Sequence, residues 1–216
     1  MIVAIDGGAA SGKSAVGRRV AAELGLAFVD SGLMYRAVAY LAVEGGIGLD
    51  DRDALLALAA GADLQVHNRR IWVGNRELTE VVYSPSIAEM LPRVSALAPV
   101  REVLVERQRA LAGSGVVMAG RDIGTDVFPK ADHKFFLVAG LAERIRRREE
   151  QFRKRGEATD PAALEREVTE RDRIDSERDA SPLRAAADAV VIETDSLTLA
   201  EVVEGILSRV RGSRVG

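Results

Sequence analysis

Gly7-Gly8-Ala9-Ala10-Ser11-Gly12-Lys13-Ser14 stands between a short apolar run, Ile2 to Asp6, and a stretch of helical period, Lys13 to Leu24. The octapeptide fits G-x-x-x-x-G-K-[ST], and its place after a strand and before a helix is what that pattern requires. Glycines let backbone N–H groups close around phosphate oxygens, and the helix N-terminus that follows adds the positive end of its dipole. In such a loop Lys13 reaches the β- and γ-phosphates of a nucleotide and the Ser14 hydroxyl holds Mg²⁺. A chance match in a glycine-rich turn is the bland alternative, and the strand and helix on either side weigh against it.

Outward from this loop the chain alternates short apolar runs with longer helical patterns. The runs at Ile2 to Asp6, Ala27 to Val29, Gly115 to Ala119, Lys134 to Val138 and Ala189 to Glu193 read as strands. Between them lie predicted helices over Lys13 to Leu24, Leu33 to Glu44, Asp53 to Ala60, Val100 to Ala112, Ala142 to Arg155, Ala162 to Ser176 and Leu199 to Val210. This order predicts an α/β protein with a parallel sheet wrapped by helices on both faces. Asp63 to Leu78 breaks the rhythm: two-residue alternation around His67-Asn68-Arg69-Arg70 and Gly74-Asn75 predicts a small antiparallel hairpin or three-stranded meander inserted on that body. Pro92 and Pro99 punctuate a helical region and mark kinks or helix starts.

Composition narrows the chemistry. With 216 residues and 47% apolar character the chain can bury a full core as one domain with a small insertion. Thirty basic and 33 acidic residues leave a net charge of -3, which argues against a general polyanion binder. No cysteine is present, so disulfides, thiolate metal sites and thiol nucleophiles are excluded. His67 and His133 stand far apart without metal-site spacing, so a histidine-based zinc site or a Ser-His-Asp triad is not expected. The N-terminus lacks the form of a secretory signal, and no apolar stretch approaches the roughly 18 to 20 residues a membrane helix needs. A cytoplasmic protein is the expectation.

A phosphate loop says that nucleotide phosphates bind, not what becomes of them. No N-K-x-D base-reading motif of GTPases occurs, and Ala189 to Asp195 reads as a last strand with its loop rather than as a Walker B segment. Small size and scattered arginines favour a kinase of a small phosphorylated or hydroxylated molecule. Three further stretches bear on the acceptor. In Asp30-Ser31-Gly32-Leu33-Met34-Tyr35-Arg36, two hydroxyls and a guanidinium could share one anion, or Ser31 could be an ordinary helix cap. Arg121 and Asp122, after the strand ending at Ala119, could point into the crevice of the phosphate loop or form a buried structural ion pair. Glu143 to Arg178 carries eleven basic and eleven acidic residues. Its Arg144, Arg147 and Arg148 share one helical face, and Arg171, Asp175 and Arg178 another. They are either two solvated, ion-paired helices or a mobile arginine hairpin over the phosphates, with Gly156 as its hinge or tip.

Taken together, the phosphate loop, Asp30-Ser31-Gly32-x-x-Tyr35-Arg36, Val100-Arg101 with Gln108-Arg109, Gly120-Arg121-Asp122-x-Gly124-Thr125 and Arg171-Asp172-x-x-Asp175-x-x-Arg178 occur in the order found in bacterial cytidylate kinases, a P-loop nucleoside monophosphate kinase family. The resemblance runs from about Ile2 to Val210. It implies transfer of the γ-phosphate of ATP to CMP or dCMP with Mg²⁺, in a five-stranded parallel core carrying a small antiparallel-sheet insertion and a short helical lid. It divides the chain into a core (about 1–30, 94–145 and 180–216), an acceptor-binding insertion (about 31–93, with its meander at 62–80) and a lid (about 146–179). It makes Gly7 to Ser14 the ATP phosphate site, Ser14 the metal contact, and Lys13, Arg121 and Arg171 the catalytic cations. Ser31, Tyr35, Arg36 and Arg121 resemble contacts to acceptor phosphate or ribose, Arg101 and Asp122 resemble the cytosine readers, and Arg171, Asp175 and Arg178 resemble ribose and phosphate contacts. Arg144, Arg147 and Arg148 fall in the lid helices. Pro92 stands where the family often has a base-contacting serine, three residues before Ser95, and Tyr83-Ser84-Pro85 stands where many relatives have Ile-Arg-Thr. A monomer that binds neither nucleic acid nor membrane is expected. Kinases of UMP or shikimate remain alternatives, as does a non-catalytic nucleotide- or RNA-binding module, although 4% aromatics offers few stacking platforms.

Overall fold

The structure is a computed structural model that describes residues 1–154, 156 and 158–212. In chain order it runs β1 (Ile2–Gly7), α1 (Lys13–Leu24), β2 (Ala27–Asp30), α2 (Gly32–Glu44), α3 (Arg52–Gly61), β3 (Leu64–His67), β4 (Arg70–Val73) and β5 (Arg76–Glu77). A 3₁₀ turn at Val81–Tyr83 leads to α4 (Pro85–Ala96), α5 (Ala98–Ala110) and β6 (Val116–Gly120). A π-helical turn, Ile123–Val127, precedes β7 (His133–Val138), α6 (Leu141–Lys154), α7 (Pro161–Glu177), β8 (Val190–Glu193) and α8 (Leu199–Gly212).

The five strands expected from apolar runs form one parallel sheet in the order β2-β6-β1-β7-β8. Central β1 and β6 are buried on both faces, which is why their sequences read as continuous apolar runs rather than alternating ones. Edge strand β8 leaves Val191 at 54% exposure. One core lies between the sheet and α1 and α8; the other joins the sheet to α2, α3, α4, α5 and the insertion. Gly17 lets α1 settle on the sheet, since a Cβ there would stand 2.7 Å from the Phe28 ring.

The expected meander is present: β3 and β4 pair antiparallel through Asn68 and Arg69, and β4 pairs with β5 through Gly74. Asn68, Arg69 and Gly74 all have positive φ, as tight hairpin turns demand. The prolines divide differently from one another. Pro99 sits in the first turn of α5, whereas Pro92 lies inside α4 and has no N–H for the Ala88 carbonyl. The expected end of the fifth predicted helix, Arg155, falls outside the described residues. Gly156, at φ 73°, lies in the connection between α6 and α7.

Candidate active site

Because the sheet is parallel, the loops after β1, β2 and β6 emerge at one edge, and their residues line a cleft of about 1360 Å³. Lys13, Ser14, Ser31, Tyr35, Arg36, Arg101, Arg121, Asp122, Arg148, Arg171 and Arg178 all reach it. Residues separated by up to 165 positions are thus brought to one place by topology alone.

The phosphate loop closes tightly. Gly12 caps α1 at φ 93°, and Ala10 holds a left-handed φ of 57°, costly for a residue with a Cβ. Gly8 is closely approached: a Cβ there would lie 3.2 Å from Arg144 Nη1 and 3.3 Å from Asp172 Oδ1, so those side chains would have to give way slightly. Lys13 Nζ donates to the Gly8 carbonyl at 2.8 Å, and its burial, aided by the Arg121 charge, holds the ammonium well below the usual lysine pKa. Ser14 Oγ donates to Asp30 Oδ2 at 2.7 Å.

The three arginines of α6 separate. Arg147 donates from Nη1 to the Ser11 carbonyl at 3.1 Å and from Nη2 to the Thr194 carbonyl at 2.9 Å. Arg144 pairs with Asp172 and points at the Ala9 carbonyl at 3.4 Å. Arg148 lines the cleft, pairs with Glu167 at 3.0 Å and lies over the Phe152 ring. Two of the expected lid cations therefore brace the phosphate loop from behind, and one faces the cleft.

The other half of the cleft is built on β2, α2, α5, β6 and α7. Ser31 does not cap α2; its hydroxyl donates to the Ala119 carbonyl at 3.0 Å and so fastens the β2 loop to β6. Arg36 donates to the Val82 carbonyl at 3.1 Å and lies 4.7 Å from the centre of the Tyr83 ring, with burial lowering its pKa to about 10. Tyr35 is buried beneath Arg101, and burial pushes its phenol up to about 12.

Arg121 and Asp122 do not pair with each other. Asp122 forms a buried ion pair with Arg101, whose Nη1 also donates to the Ser95 carbonyl at 2.9 Å. Arg121 donates to Asp175, the centre of a cluster that also holds Arg171 and Arg178. Burial alone would raise the Asp175 carboxyl; Arg121, Arg171 and Arg178 overcome it and hold the group far below the usual range. Arg101 Nε and Arg178 Nη2 are buried without a hydrogen-bond acceptor, two guanidinium donors beside the Asp122 carboxylate that suit a polar acceptor edge. Pro92, at the position of the family's usual serine, and Ser95 both line the cleft, and Ser95 Oγ donates to the Pro92 carbonyl at 3.0 Å.

Three carboxylates were given no role by the sequence reading, although two of them, Asp30 and Asp172, stand inside its motifs. Asp30 receives the Ser14 hydroxyl, Asp172 sits against Gly8, and Asp6 accepts from the Ile123 and Gly124 N–H groups. Burial raises Asp6 to about 6, against the pull of those two donors. Only their positions at strand ends or beside an arginine could have marked them. Among the described residues no group of three or more His, Cys, Asp or Glu could hold a metal ion by itself, and no helix is long and apolar enough to cross a membrane.

A parallel sheet of this order, a phosphate loop after its central strand and arginines across the cleft define a P-loop kinase. The chain belongs to the cytidylate kinase family, whose profile matches residues 3–212. A cytidylate kinase of Geobacillus kaustophilus (strain HTA426) is 44% identical over 99% of this chain and 97% of its own. A bifunctional pantoate ligase/cytidylate kinase of Synechococcus sp. (strain JA-3-3Ab) is also 44% identical over 95% of this chain, which spans 40% of that longer protein. Among solved structures, an uncharacterized protein from Eubacterium ventriosum shares the fold at a TM-score of 0.52 with 12% identity, covering 98% of both chains.

Proposed function

We propose that the protein transfers the γ-phosphate of ATP to CMP or dCMP, giving ADP and CDP or dCDP. The observation that carries this reading is the buried Arg101–Asp122 pair on the wall of a cleft that also holds Lys13 and Ser14. Cytosine offers an N4 donor beside N3 and O2 acceptors, so Asp122 takes the first and Arg101 supplies the others. Uracil reverses part of that edge and leaves buried groups unpaired.

Gly7 to Ser14 cradle the donor phosphates. Ser31, Tyr35, Arg36 and Arg121 hold the acceptor phosphate and nearby ribose, and Arg171 and Arg178 complete that side, held by Asp175, which is itself fully buried and does not line the cleft. The acceptor phosphate is already anionic near neutral pH, so no side chain has to remove a proton from it. Lys13, Arg121 and Arg171 neutralise the charge that spreads over the transferring group, and the walls hold the acceptor oxygen in line. Ser14 Oγ and Asp30 Oδ2, 2.7 Å apart, are hard oxygen donors of the kind Mg²⁺ accepts alongside phosphates. When bound there with ATP, Mg²⁺ supplies charge neutralisation across the phosphates.

In the same reading the core comprises 1–30, 94–145 and 180–216, the acceptor-binding insertion 31–93 and the lid 146–179, of which 155, 157 and 213–216 lie outside the described residues. The protein is a cytoplasmic monomer that binds neither nucleic acid nor membrane. A coupled ADP-release assay over CMP, dCMP, UMP, AMP and shikimate tests the assignment. CMP or dCMP should be turned over with the highest kcat/KM, and equal use of UMP would refute the roles of Arg101 and Asp122.

A further inference from the structure

Asp6 ties the phosphate-loop strand to the segment carrying Arg121 and Asp122. It lies one residue before Gly7, only 5% exposed, opposite Gly120 in the β1–β6 register. Its Oδ1 accepts from the Ile123 N–H at 2.8 Å and its Oδ2 from the Gly124 N–H at 2.7 Å. Those two donors open the π-helical turn Ile123–Val127, whose later amides are satisfied within the turn: Asp126 and Val127 donate to the Asp122 carbonyl and Phe128 to the Ile123 carbonyl. The first amides of a helical turn have no such partner, and buried they must find one elsewhere. Asp6 satisfies both at once, which needs two acceptor oxygens on one short side chain; an asparagine offers only one.

Asp6 is buried behind the cleft and is not among the residues that line it. Yet the residue immediately before its two donors is Asp122, whose carboxylate is paired with Arg101 in the cleft wall. We propose that Asp6 is a positioning residue for acceptor recognition: by holding the Ile123 and Gly124 amides it fixes where Asp122 presents its carboxylate relative to the phosphate loop. This rests on the reading of Asp122 as an acceptor-base contact.

The test is steady-state kinetics of Asp6→Asn with CMP, UMP and ATP varied in turn. The variant should raise KM for CMP about tenfold or more and lower the preference for CMP over UMP, while KM for ATP stays within about a factor of two. Gly124→Ala perturbs the same link from the loop side and remains available if Asp6→Asn does not fold. Its Cβ would meet Lys134 Cδ at 3.2 Å and Asp6 Oδ2 at 3.4 Å, and the same partition is expected in weaker form. A parallel rise of both KM values, a loss of thermal stability with CMP KM and selectivity unchanged, or an unaltered CMP KM and selectivity in Gly124→Ala would each overturn the proposal. A wild-type enzyme that does not phosphorylate CMP would instead overturn the acceptor assignment.

Discussion

Arg121 Nε and Arg171 Nε both donate to one oxygen of Asp175, Oδ2, at 2.8 and 3.0 Å. A carboxylate buried in α7 thus sets the spacing of two guanidinium groups, one from the end of β6 and one from α7 itself. Held in this way, the two cations would, in the proposed reaction, need little reorganisation to meet a transferring phosphoryl group alongside Lys13.

Removing that carboxylate leaves buried cations without their counter-charge. Asp175→Asn should cost about 3–5 kcal/mol of stability near neutral pH, read from urea unfolding. The folded state holds this carboxyl below its ordinary 3.8, so its contribution is complete above that pH and is lost as pH falls toward the folded value. The gap between wild type and variant should therefore narrow in acid; a gap independent of pH would contradict the assigned cause.

Lys13→Met removes the cation that the phosphate loop keeps against the Gly8 carbonyl. Turnover should fall by about a thousandfold or more. Thermal stability should hold or rise, because a buried ammonium with a depressed pKa carries a desolvation cost that a thioether does not. The ADP-release assay and a circular-dichroism melt check the two halves.

The division of arginines predicts opposite kinetic signatures. Arg147 braces the Ser11 and Thr194 carbonyls, so Arg147→Ala should raise KM for ATP about tenfold and leave KM for CMP nearly unchanged. Arg36, fastened to the Val82 carbonyl across the cleft, should give the reverse when replaced by alanine. Equal effects on both substrates would show that the two halves are not separable.

Pro92 withholds an N–H from the Ala88 carbonyl inside α4. Pro92→Ala restores that donor and should stabilise the protein by about 1–3 kcal/mol, visible as a higher Tm.

Local chemistry made much of this protein legible. The phosphate loop is contiguous, and its glycines, lysine and serine carry their meaning within eight residues. The strands were bounded to within one residue because burial on both faces leaves an unbroken apolar run, and α1 was bounded at both ends by Gly12 and Gly25, whose left-handed φ values stop a helix. The extent of α4 was obscured by Pro85, Pro92 and Pro99, each of which reads locally as a boundary although packing of Ile87, Leu91 and Val94 carries the helix through Pro92. The π-helical turn after Asp122 has no sequence signature.

Sequence by itself determined the phosphate loop, the alternating α/β order, the meander and the set of arginines and carboxylates available for an anionic reaction. Tertiary structure decided which of them meet. Arg121 stands beside Asp122 in the chain but binds Asp175, while Asp122 turns to Arg101, and Arg147 braces a loop that Arg148 does not touch. A charge in a low-dielectric interior pairs with whatever opposite charge the packed helices bring within reach, and neighbours in the chain need not be the partners that packing supplies.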